Sequence, residues 1–75
     1  MQVQWIGKNV DLGALSKQVE LFFIEKEFKT RLAEKSEGYE IEAVSQKISN
    51  VQLKISVEIL GQPNDFIIEY TADKS

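Results

Sequence analysis

Hydrophobic residues change their spacing several times along this chain, and each change marks an element. Val3 and Trp5 alternate with Gln2 and Gln4, the period of a short strand with one buried face, and the stretch Gly7 to Asn9 breaks it. Asn9 or Asp11 can then cap a helix, because either side chain can accept from the unpaired N–H groups of a first turn. Leu12, Leu15, Val19, Phe22 and Phe23 follow at helical spacing and fall within an arc of about 100°. This stripe predicts the face that meets the core.

Where the helix stops decides the architecture. Helix-forming residues continue to Ser36, and Glu25–Lys29 and Glu27–Arg31 are spaced as i,i+4 ion pairs. Continued as helix, however, Phe28 and Leu32 would lie nearly opposite the first stripe, so one helix would need two buried faces. Read as a strand, Phe28, Thr30 and Leu32 share one face while Lys29 and Arg31 point to solvent. The ion pairs contribute about 0.2–0.5 kcal/mol each, against roughly 1.5–3 kcal/mol for burying each of Phe28 and Leu32. The expectation is a helix ending near Lys26 or Glu27, then a strand.

Lys35-Ser36-Glu37-Gly38 supplies a turn, with Gly38 able to take the positive φ of a three- to five-residue hairpin loop. Tyr39, Ile41 and Ala43 alternate with Glu40 and Glu42 in the next strand, and Ser49-Asn50 offers a second turn. Val51, Leu53, Ile55, Val57 and Ile59 then alternate strictly with polar residues, predicting a strand with one dry face at the centre of a sheet. Gly61 to Asp65, with Pro63 suited to the second position of a type I turn, leads to a last strand carrying Phe66, Ile68 and Tyr70 inward and Glu69 and Thr71 outward. Ala72 to Ser75 reads as a polar tail. The predicted fold is α+β: one helix on one face of a mostly antiparallel five-stranded sheet, in the order β-α-β-β-β-β. The place of the first strand within the sheet stays open.

Composition narrows the class. The 75 residues fit one domain spanning positions 1–75, and a 43% hydrophobic content lies in the globular range. No run approaches the roughly 20 apolar residues of a membrane span, and the first residues lack the pattern of a signal peptide, so the expected location is cytoplasmic without membrane contact. Twelve acidic against nine basic residues, interleaved along the chain, give a net charge of −3 and no basic patch, which argues against nucleic acid as a partner.

The absence of both His and Cys removes the commonest acid–base group near neutral pH, the commonest metal ligand and the most reactive nucleophile. Glu40 and Glu42 share the wet face of a strand, and Asn64-Asp65 is the one compact oxygen-ligand candidate, too few for a metal site. No phosphate-cradling glycine motif occurs. The sequence therefore points away from an enzyme and implies no cofactor and no metal. The aromatic residues fall on the expected core face, with Trp5 and Tyr70 placed at its edges.

Leu21 and Ile24 project away from the main helical stripe, and Ile6, Val44 and Ile67 interrupt an otherwise polar outer sheet face. Leu21, Ile24 and Ile67 are accordingly the candidate contacts for a protein partner or a second copy in a homodimer. The leading expectation is a small non-catalytic interaction module. The alternative is a carrier holding an apolar ligand in a gap between helix and sheet, lined by Trp5, Phe22, Phe23 and Tyr39.

Overall fold

The computed structural model describes residues 2–7 and 9–74, except for the side chain of Lys74. Its elements are β1 (Gln2–Ile6), α1 (Leu12–Glu25), β2 (Lys29–Lys35), β3 (Gly38–Val44), β4 (Leu53–Gln62) and β5 (Asp65–Lys74). The five strands form one antiparallel sheet in the order β1-β5-β4-β3-β2. β4 is thus the central strand, as its strict alternation predicts, and β1 joins the edge beyond β5. The expected break after β1 falls at Gly7 and Asn9, while Lys8 lies outside the described residues.

The helix starts at Asp11, whose carboxylate accepts from the Ala14 N–H at 3.1 Å. It ends in a Schellman motif. The Phe28 N–H donates to the Phe23 carbonyl and the Glu27 N–H to the Ile24 carbonyl, each at 2.9 Å, with Glu27 in the left-handed region at φ 67°. The apolar contact that accompanies such a motif is Phe28 against Phe23, their rings edge to face with centroids 5.4 Å apart. The residue that made a long helix untenable, Phe28, is therefore also the one whose packing seals the helix end.

The first hairpin turn is shorter than expected, whereas the second falls at the expected residues but shortens the strand after it. The β2–β3 hairpin is closed by Ser36 and Glu37 alone, because Gly38 pairs with Lys35; Gly38 does take a positive φ, 151°. At Ser49-Asn50 both residues have positive φ, the signature of a type I′ turn, and Ile48 and Val51 exchange two backbone hydrogen bonds across it. Val51 consequently sits in this small hairpin arm and not in β4, which begins at Leu53. The presumed tail is a further correction: β5 continues through Ala72 to Lys74, because the long β4 offers it a partner as far as Leu53. Ser75 lies outside the described residues.

The core is the inner face of β3 and β4 under the helix. Ile41, Ala43 and Ile59 are fully buried, with Leu12, Phe23, Val57 and Phe66 around them. Ser16 is also fully buried, its hydroxyl satisfied by donating to the Gly13 carbonyl at 2.7 Å. Gly13 and Ser16 keep this side of the helix thin. A Cβ at Gly13 would stand 3.1 Å from the Tyr39 hydroxyl. The helix settles on this small-residue strip, so its buried line runs Leu12–Ser16–Val19–Phe23, turned by about 40° from the purely apolar stripe. Phe22, expected in the core, is 54% exposed as a result.

A candidate docking trough

α1 packs on β2, β3 and part of β4. The inner face of β5 and β1 has no helix above it. Alternation places Val3, Trp5, Phe66, Ile68 and Tyr70 on this uncovered half, and register aligns Val3 with Ile68 and Trp5 with Phe66. The two rings of the latter pair lie parallel, 6.4 Å apart at 6°. Phe66 is buried beneath this stack, whereas Val3 and Trp5 are each 42% exposed. The one buried face expected of β1 is thus only half covered, because the single helix is spent on the other side of the sheet.

Between the helix flank and this open floor runs a trough of about 560 Å³. One wall is Val19, Phe22 and Phe23 of α1; the floor is Ile55, Val57, Ile68 and Tyr70. Toward the start of the helix it meets a smaller hollow of about 100 Å³ between Trp5, Val10 and Leu15 on one side and Phe66 and Ile68 on the other. No ionisable carboxylate or ammonium lines either space, and Gln18 and the Tyr70 hydroxyl are the polar features of the larger one. One turn further along the helix, Lys26 holds its ammonium 5.7 Å from the Phe22 ring centroid, a cation–π contact.

Of the residues expected around a gap between helix and sheet, Phe22 and Phe23 line the trough and Trp5 lines the smaller hollow. Tyr39 lies elsewhere, on the β2 side of the helix, where it borders a second hollow of about 580 Å³ whose lining includes the charged side chains of Asp11, Lys17 and Glu34. The proposed contact residues are not brought together either. Leu21 and Ile24 are 55% and 48% exposed on the solvent side of α1, while Ile67 is half-buried on the opposite face of the sheet. Phe22 was expected both in the core stripe and at the gap, and it stands at the gap because the small residues Gly13 and Ser16 draw the helix round; Val19, Ile55, Val57, Ile68 and Tyr70 are the lining residues that the sequence did not assign to it.

The outer sheet face is charged. Register places Glu40, Glu58 and Glu69 side by side on β3, β4 and β5, an arrangement of like charges that opposes pairing. Lys35 relieves it, reaching the Glu40 carboxylate at 3.0 Å, and the hydrogen bond and charge of Glu40 raise the lysine pKa above its ordinary value. Among the described residues no group of three or more acidic side chains is arranged to hold a metal ion, and no helix is long and apolar enough to cross a membrane. In comparisons with known proteins, no family model, no curated protein and no solved structure matches this chain.

Proposed function

We propose that this protein is a non-catalytic interaction module whose trough receives an apolar, helix-forming segment of a partner protein. The observation that carries this reading is the uncharged inner face of β5 and β1, with no helix above it, beside a helix that covers β2, β3 and part of β4. A free small molecule fits less well, since ligand sites normally enclose most of their ligand and supply convergent polar groups.

Titrating the 15N-labelled chain with amphipathic helical peptides selected from a display library tests this. The expected shift changes map to Val19, Phe22, Ile68 and Tyr70, and Phe22→Glu abolishes them while leaving the remaining spectrum folded. Peptides that bind only at the outer sheet face, or a wild-type chain that selects none, would refute the reading. An apolar small molecule retained in native mass spectra of protein purified from cells would favour the carrier alternative.

A further inference from the structure

The two edges of the sheet are chemically unlike, and the contrast points to a second site. At one edge β2 presents Lys29, Arg31, Glu34 and Lys35 within seven residues. Charged edges of this kind discourage pairing with another chain. At the other edge β1 reads Gln-Val-Gln-Trp-Ile, with no charge, no Pro and all five residues exposed. Among the described residues nothing pairs with its outer side.

From this geometry we infer that β1 pairs with β1 of a second copy, antiparallel across a two-fold axis at Gln4, joining two sheets into one of ten strands. The backbone is prepared for that register. The Gly7 N–H donates to the Asn64 carbonyl at 2.6 Å, continuing the β1–β5 ladder, so residues 3, 5 and 7 turn their backbone groups toward β5. Gln2, Gln4 and Ile6 then turn theirs outward. Centred on Gln4, the hydrogen-bonded pairs are Gln4 with Gln4 and Gln2 with Ile6, giving about six bonds between chains. Val3 meets Trp5 of the other copy in the closer, non-hydrogen-bonded position, a β-branched–aromatic pair of the kind that stabilises sheets. Both residues are half exposed on the inner face and would gain cover there.

Charge does not oppose the join. The nearest acidic side chains, Asp65 and Glu69, lie one strand back on β5, and Gln4 and Gln2 donate hydrogen bonds to them at 3.2 and 3.4 Å. Across the new seam the two β5 strands would stand about 14 Å apart, beyond the Debye length of about 8 Å at physiological salt. The dimer does not depend on trough binding, although it would set two troughs edge to edge on one face.

Sedimentation velocity of the full chain over a concentration series tests the inference. The wild type should pass from monomer to dimer. Gln4→Pro removes an outward N–H at a position where an edge strand tolerates proline, and should weaken dimerisation by about tenfold to a hundredfold with the circular dichroism spectrum unchanged. Should that variant fail to fold, isotope-filtered NMR on a mixed dimer of labelled and unlabelled wild type still decides, through contacts between Val3 of one copy and Trp5 of the other. A wild type that stays monomeric at about 0.5 mM, above the range of ordinary specific association, or a dimer lacking that Val3–Trp5 contact, would overturn it. Phe22→Glu should leave the dimer intact, which separates failure here from failure of the trough reading.

Discussion

The inner face of the sheet has two halves made of similar residues in different surroundings. Under the helix, Ile41, Ala43 and Ile59 are sealed from water. Across β4, on β5 and β1, Ile68, Tyr70, Val3 and Trp5 carry comparable apolar surface but meet the helix only along one flank. Composition alone does not separate the halves. What does is the placing of one narrow helix, drawn toward β3 by Gly13 and Ser16. A sheet face becomes core when something covers it, and an equally apolar face without a cover is a surface waiting for a neighbour.

That contrast can be broken by truncation. Ile41→Ala removes a fully buried side chain and should cost about 3–4 kcal/mol in urea unfolding, whereas Ile68→Ala, at the trough floor, should cost about 1–2 kcal/mol. Equal losses would mean that the trough is already covered in solution. A second large effect belongs to the covered half. Gly38 holds φ 151°, and a Cβ there would overlap the Ile59 carbonyl oxygen, so Gly38→Ala should cost about 3 kcal/mol, read from the shift in thermal midpoint.

A smaller change has the opposite sign. Glu27 occupies the left-handed position of the Schellman motif, where a side chain is unfavourable by about 1 kcal/mol, so Glu27→Gly should raise stability by roughly that amount. No gain in the denaturation midpoint would show that the Glu27 side chain makes a compensating contact. The smallest effect concerns Lys35. Its pKa is raised in the folded protein, so the ion pair with Glu40 contributes fully below the unfolded lysine value and is lost as pH rises through the folded one, above 10.5. Urea midpoints of wild type should therefore fall toward those of Glu40→Gln in strongly alkaline solution. Both partners are solvent-accessible, so the gap should be small and should narrow further in high salt.

Much of the fold was legible because alternation is a two-state signal. Phe28 and Leu32 could not share a helix face with Leu12 and Val19, and that steric fact alone converts half of an apparent helix into β2. β4 announced its central place through the four alternate apolar residues Leu53, Ile55, Val57 and Ile59. The trough was harder to read. Apolar periodicity fixes which residues can be buried, but the roll of the helix was set by Gly13 and Ser16, which a hydrophobic stripe ignores, and Phe22 moved from core to wall in consequence. The partner of β1 was hidden for another reason: pairing between segments 59 to 67 residues apart leaves no local trace in either of them.

The same pairing orders the events of synthesis and folding. β2 to β5 are consecutive hairpins, and each can form from neighbouring sequence as it emerges. β1 is made before all of them, yet its partner, β5, is made last. Throughout elongation an uncharged strand with a tryptophan must therefore wait unpaired beside the growing meander, and closing the sheet is the step that joins the most distant parts of the chain. Its amides should accordingly be the last to gain protection during refolding, which makes β1 a latch on a meander that is otherwise assembled.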